Sequence, residues 1–274
     1  MEINLADIPF DLDFHPSDQL VAAGVIGGNL HLYRYDANAL PQKLFKVRAH
    51  VKSCRAVRFI NDGRAILTGS SDHSILSTDV ETGSVIARLE DAHDEAVSKL
   101  INITSETIAS GDDNGAIKVW DTRQRSCCSS FKAHEDYISD MTYSSDSTKL
   151  LATSDRFVDA SQNPVNALLK LDEDRVIVAS ESGLISLVGI LPNRVIQPIA
   201  EHSDYPVERL AFSHDRKFLG SISHDYMIKL ISVERVLLGE LGELWDMDLL
   251  QSSGNAPTTV EASASVNSFT FTED

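Results

Sequence analysis

One twelve-residue pattern recurs along this chain, and it narrows the folds open to it. The clearest copy is Ser110–Asp121, "SGDDNGAIKVWD". "TGSSDHSILSTD" (Thr68–Asp79) and "SISHDYMIKLIS" (Ser221–Ser232) repeat it. "VASESGLISLVG" (Val178–Gly189) and "AGVIGGNLHLYR" (Ala23–Arg34) are weaker copies. Each reads as a strand, a tight polar turn and a second strand. A histidine precedes the units at His50, His93, His134 and His202, spaced by 43, 41 and 68 residues. Alternating apolar runs follow, such as "AVRF", "YISDMTY" and "VERLAF", then a polar turn, then "AILTG", "LLATS" or "FLGSIS". Period-two alternation broken by turn residues predicts short antiparallel strands, and no helical periodicity is evident before residue 233. The predicted fold class is therefore all-β. A four-stranded sheet cannot cover both its faces alone; stacking sheets around an axis covers the faces and protects the edges.

Composition bounds the function. The chain has 274 residues, is 42% hydrophobic and carries a formal net charge of −17. So acidic a surface argues against broad phosphate-backbone binding, and no direct nucleic-acid contact is expected. No apolar run reaches the ~18 residues of a membrane span. The opening "MEINLADIPF" lacks the basic and apolar regions of a signal peptide. Cys54, Cys127 and Cys128 have neither disulfide-framework nor metal-ligand spacing and read as plain thiols. No metal and no cofactor is expected, and the Asn102 sequon is read as irrelevant without a secretory signal.

A unit of ~40–45 residues with a leading His and a closing Trp-Asp resembles the WD-repeat β-propeller family. The resemblance runs over roughly residues 5 to 235, with about five recognisable repeats. Only His93–Asp121 is close to the pattern; the Trp position elsewhere holds Tyr33, Thr78, Val188 and Ile231. The resemblance implies a hydrogen-bond network linking His93, Ser110 and Trp120, with an acidic turn residue nearby. That turn position holds Asn114, flanked by Asp112 and Asp113, so the side chain that completes the network stays open. His, Ser and Asp could also suggest a nucleophilic triad. The set recurs once per unit, however, whereas a catalytic site is needed once, and no nucleophile elbow, phosphate loop or zinc motif is present. A non-enzymatic role is expected.

The interval from His134 to His202 breaks the pattern. "LLATS" should lead into a turn and a strand, but "DRFVDASQNPVNALLKLDEDRVIVAS" follows, which from Asn166 reads as a new unit. The outer two strands of the fourth unit are thus missing, and an exposed edge is expected near 150–165. About 17 lost residues imply six original units; about 60 imply seven, the commoner number, at ~43 residues per repeat. We read the chain as a shortened form of a seven-bladed parent, as alternative splicing would produce, with a hybrid blade using "DRFVDA" as the other reading. "MEINL" is expected to lend an outer strand to the last unit. Domain boundaries are placed at 1–238 for the propeller and 239–274 for the tail. Within "VERVLLGELGELWDMDLL" a short helix is expected, Trp245-Asp246 is a decoy, and residues 251–274 read as disordered.

Arg123 lies just past the third strand of the best copy, on the face carrying the first and third turns. A planar guanidinium there can grip a partner's carboxylate or backbone oxygens; it could equally be a solvated loop residue. Trp120-Asp121-Thr122-Arg123 is similar to the Trp-Asp-x-Arg box of propellers that serve as substrate receptors of cullin-4 ubiquitin ligases. That resemblance implies partner binding by Trp120, Asp121 and Arg123, the partner being the adaptor damage-specific DNA-binding protein 1. No other copy has the Arg: Asp79 is followed by Val80-Glu81, and Ser232 by Val233-Glu234. "PFDLDFHPSDQLVAAGVIGGNLHLYRYD" and "LISLVGILPNRVIQPI" resemble the WD repeat-containing protein 55 family, plant type. This implies a nuclear or nucleolar location, with a cytoplasmic one open for this form. It also implies either a cullin-4 receptor or a scaffold in ribosomal RNA maturation. The chain departs from that family after Ser154 and at its C-terminus, where members tend to carry a Lys-rich tail.

Overall fold

The computed structural model describes residues 1–138, 140–143, 149–153, 157–158, 164–190, 194–238 and 266–270. The chain opens with a short strand, β1 (Glu2–Asn4), and then lays down antiparallel sheets in sequence order. Blade 1 holds β2 (Pro9–Phe14), β3 (Leu20–Val25), β4 (Asn29–Asp36) and β5 (Ala39–Arg48). Blade 2 holds β6 (Cys54–Ile60), β7 (Ala65–Ser70), β8 (Ile75–Asp79) and β9 (Val85–Leu89). Blade 3 holds β10 (Val97–Asn102), β11 (Thr107–Asp112), β12 (Ala116–Asp121) and β13 (Ser126–Lys132). These are meanders, each strand paired with the next, as the short polar turns dictate.

The fourth sheet starts with β14 (Asp140–Tyr143) and β15 (Lys149–Thr153). The fifth holds β16 (Phe157–Val158), β17 (Pro164–Lys170), β18 (Arg175–Ser180), β19 (Leu184–Gly189) and β20 (Arg194–Glu201). The sixth holds β21 (Val207–Phe212), β22 (Phe218–Ser223) and β23 (Met227–Ser232). A six-residue helix, α1 (Val233–Leu238), follows, and β24 (Val266–Thr270) ends the described chain.

Three details bear on the sequence reading. β1 pairs with β23 as the outer strand of blade 6, in the register Glu2–Lys229, Ile3–Ile228, Asn4–Met227. "DRFVDA" does not rebuild the fourth sheet; its Phe157–Val158 pairs with Val165–Pro164 and adds a fifth strand to the next sheet. The third strand of the fourth sheet is instead β24, antiparallel to β15 from Lys149–Thr270 to Thr153–Val266. Residues 251–274, expected to be disordered, therefore contain a strand. Its sequence "VNSFT" explains this: β-branched and aromatic residues without Gly or Pro suit a pleated ladder. Trp245-Asp246 lies outside the described residues.

Apolar cores fill the junctions between sheets. Ile3, Leu12, Phe14, Val21, Ile228 and Leu230 join blade 6 to blade 1. Leu30, Leu32, Val57 and Ile66 join blades 1 and 2. Leu67, Ile75, Val97, Leu100 and Trp120 join blades 2 and 3. Ile117, Val119, Ile138 and Leu150 carry the packing on to the fourth sheet, and Ile177, Leu187, Leu210 and Leu219 join the fifth and sixth. Inner strands pack one against the next from the sixth sheet through the first to the fourth, and the fifth against the sixth, the stacking of a β-propeller.

The inner strand of five sheets carries a bulge one or two residues from its start, at Phe10, Arg55, Ser98, Asn166 and Glu208. A bulge breaks strict alternation and re-aims a side chain. Arg55 accordingly reaches the next blade's turn at Asp113, 2.6 Å away. Ser98 donates to the Ile138 carbonyl of the next sheet. Below the bulges, Asp11 of β2 accepts from the Val57 backbone N–H at 2.8 Å and from Arg58 at 2.6 Å, and lies 3.4 Å from Arg209 of β21. Inner strands are thus cross-tied near the axis by paired charges, which is how charge survives burial.

Candidate functional site

The recurring polar network is built in three copies whose atoms are fully visible. In blade 3, Ser110 at the middle of β11 lies beside Trp120 of β12, because the two strands pair Ile108 with Trp120 and Ser110 with Lys118. Trp120 Nε1 donates to Ser110 Oγ at 2.7 Å, and Ser110 Oγ lies 2.6 Å from His93 Nε2. His93 Nδ1 is 2.9 Å from Asp112 Oδ2. The carboxylate left open by the sequence is therefore Asp112, and neither Asn114 nor Asp113. Its other oxygen accepts the backbone N–H groups of Asn114 (3.0 Å) and Ala116 (2.8 Å), fixing the turn. In blade 2, His50 lies 2.8 Å from Thr68 Oγ1 and 3.2 Å from Asp72. In blade 6, His202 is 2.8 Å from both Ser221 and Asp225. Asp72 and Asp225 occupy the turn position that holds Asn114 in blade 3, so blade 3 supplies its acid two residues earlier. His134 is buried at the equivalent place ahead of the fourth sheet.

These histidines are 0–1% exposed, and burial holds all three imidazoles below their ordinary value. They are neutral donors to carboxylates and acceptors from hydroxyls. Asp72 feels burial pushing it up, but hydrogen bonds from Ser74, the His50 contact and the Val51 N–H outweigh it and bring it down to about 2. The consequence is a specific pH profile. An unfolded histidine titrates near ~6.5, so below that pH the unfolded chain takes up protons that the folded chain refuses. This stability is complete above about pH 7 and declines as pH falls through ~6.5 toward the folded values, with a limiting slope of ~1.4 kcal/mol per pH unit for each histidine. The melting temperature should fall steadily from pH 7.5 to 5, before the carboxylates titrate. A flat profile over that interval would contradict neutral, buried imidazoles.

The network is structural geometry repeated around the ring. Each Ser or Thr faces inward at 0% exposure, where no substrate can reach it. In blade 2, Thr78 replaces the Trp, and its buried hydroxyl has no partner among the described residues. Among the same residues no cluster of His, Cys, Asp or Glu could hold a metal ion, and no helix is long and apolar enough to cross a membrane.

The Trp-Asp-x-Arg segment has a different character. Trp120 is 7% exposed and wedged between blades 2 and 3. Asp121 ends β12, and its Oδ1 accepts the backbone N–H groups of Arg123 (2.8 Å) and Gln124 (2.9 Å). The Gln124 N–H, above all, holds this carboxyl below the usual range. Thr122 ties the turn to the first turn of the same blade, its N–H and hydroxyl both donating to the Glu106 carbonyl at 2.8 and 3.0 Å. Arg123 then projects with its side chain 64% exposed, 2.9 Å from the Glu106 carboxylate and 3.8 Å from Asp121. The two turns named by the sequence reading do share one face. Asp79 repeats the role of Asp121 in blade 2, accepting from the Thr82 N–H and hydroxyl at 2.8 Å each. The Asp is thus shared by blades 2 and 3, whereas the Arg is particular to blade 3.

Comparison with known proteins agrees with this geometry. The model of the anaphase-promoting complex subunit 4 WD40 domain matches residues 12–105, and that of the WD domain, G-beta repeat, matches residues 125–158. WD repeat-containing protein 55 of Arabidopsis thaliana is 51% identical over 298 residues, covering 87% of this chain and 84% of that protein. The chain belongs to the WD repeat-containing protein 55 family. The Dictyostelium discoideum homolog is 31% identical, over 85% of this chain and 70% of its own. The Homo sapiens member is 30% identical, over 80% and 72%. As a member, the chain is a WD-repeat scaffold for protein interaction.

The alignment with the plant relative is longer than the part of this chain that it covers. Coverage of 87% is about 238 residues of this chain, so about 60 of the 298 aligned positions in the plant relative face none here. That is one and a half repeats of ~40–45 residues.

Proposed function

We propose that this scaffold is a substrate receptor of a cullin-4 ubiquitin ligase, docking on the adaptor damage-specific DNA-binding protein 1 through the turn face of blade 3. The observation that carries the reading is Arg123. Its backbone is fixed by Asp121, its side chain is exposed, and among the described residues its carboxylate contacts are a surface pair with Glu106 and a long one with Asp121. Exposed pairs are worth ~0–1 kcal/mol, so the guanidinium exchanges Glu106 for a partner's oxygens at little cost. Arg123 engages the partner, Asp121 sets its direction, and Trp120 anchors the turn in the core.

The test is binding of the purified adaptor to wild type, Arg123→Ala and Arg123→Lys. Arg123→Ala should weaken binding at least tenfold, about 1.4 kcal/mol, without moving the melting temperature. Lys keeps the charge but not the fork and should recover only part. Equal affinity for wild type and Arg123→Ala would remove the ligase reading. Co-sedimentation with pre-ribosomes that survives the substitution would favour the scaffold role in ribosomal RNA maturation instead.

A further inference from the structure

A cavity of about 140 Å³ opens between blades 2 and 3 on the face that carries Arg123. Its walls are apolar side chains of both blades, among them Ile60, Leu67, Ile86 and Trp120, and its mouth is edged by Asp121 and Arg125. Its cause can be read in the repeat. The residue before the Trp position faces the next blade, and it is Leu32, Val119, Leu187 and Leu230 in the other copies. Each of those four fills the core of its junction. In blade 2 that residue is Ser77, opposed across the sheet by Leu67 on one side and by the small Ala87 on the other. The side chain that would close the junction is missing, and the space runs out to surface beside Trp120.

We propose that this cavity receives one leucine- or phenylalanine-sized side chain of the docked adaptor, from a segment that also presents a carboxylate to Arg125. This rests on the receptor reading above and extends it. An engineered apolar cavity of ~150 Å³ in another protein takes up benzene, so the volume suits one such side chain. The charge argument supplies the rest of the occupant. The chain as a whole carries −17, yet the mouth holds Arg125, which is exposed and has no ion pair among the described residues. Ile86, 45% exposed at the rim, extends the apolar contact to solvent. An apolar anchor beside a charge-paired rim is the arrangement of an interface hot spot.

Ser77→Leu restores the residue type of the other copies and fills the space from inside, touching neither Arg123 nor Arg125. Its affinity for purified damage-specific DNA-binding protein 1 is measured beside wild type and Arg123→Ala. The expected result is at least tenfold weaker binding by Ser77→Leu, with a cooperative melt at or above the wild-type temperature. Should Ser77→Leu not melt cooperatively, Ala87→Leu fills the same space from the neighbouring strand and takes its place. Loss with Arg123→Ala but wild-type affinity for the filled variant overturns the anchor and leaves the receptor reading standing. Wild-type protein that does not bind the adaptor overturns the receptor reading, and this occupant with it.

Discussion

Deleting residues 1–5 is expected to abolish cooperative unfolding. β1 is the fourth strand of blade 6, and without it β23 becomes an open edge. The Met1 carbonyl accepts from Leu230 and the Tyr226 carbonyl from Leu5, so the ladder extends beyond the strand at both ends. Ile3 and Leu5 are 4% and 1% exposed in the core between blades 6 and 1. Burying two such side chains stabilises by ~1.5–3 kcal/mol each, and the ladder bonds add ~0.5–1.5 kcal/mol apiece. The loss should reach about 5 kcal/mol or more, against a total of ~5–15 for a protein of ordinary stability. Scanning calorimetry or a thermal melt followed by circular dichroism should show a broad, early transition. A single Ile3→Ala substitution should keep the transition sharp but cost ~2–4 kcal/mol. A truncated chain that melts as sharply as the full one, at a similar temperature, would show that β1 does not close the ring.

The second large effect concerns Asp112. This residue is 2% exposed and satisfies His93 Nδ1 together with two backbone N–H groups. Asp112→Ala strands the buried His93 donor and two half-buried backbone N–H groups and should cost about 3 kcal/mol, read as a lower urea midpoint at unchanged slope. A rescue follows from the other blades. Placing the acid where Asp72 and Asp225 stand, by adding Asn114→Asp, should restore at least half of that loss. Asn114→Asp alone adds a second carboxylate near Asp112 and should be neutral or mildly destabilising. If the double variant is no more stable than Asp112→Ala, the turn of blade 3 does not adopt the geometry of blades 2 and 6.

These residues also show where the sequence was readable. Alternation and polar turns gave strand positions because a half-buried sheet imposes period two, and the histidines marked where four of the six sheets begin. Arg123 and Asp121 were legible because the turn that holds them is local. Asp112 was not. A repeat pattern fixes the residue expected at position 114, but whether a carboxylate two residues earlier can reach the same imidazole depends on the turn in three dimensions. The bulges at Arg55 and Ser98 were hidden for a similar reason, since one unpaired residue leaves hardly a mark on a six-residue alternation. β24 was obscured by the Ser- and Ala-rich stretch before it, and its pairing with β15 spans more than a hundred residues. The cavity beside Trp120 was present in the sequence as Ser77, but it carries meaning only once strand register shows that this position faces the next blade.

The clasp between β1 and β23 sets an order on biosynthesis. β1 is synthesised ahead of all the sheets and must wait for residues 227–232 before it has a partner. Blades 1 to 3 are made of neighbouring strands and can assemble as they emerge, whereas the sixth stays incomplete until nearly the whole ring has been made. Through that interval "MEINL" and the bare flank of blade 1 are open to passing chains, which makes the nascent protein a natural client for chaperones.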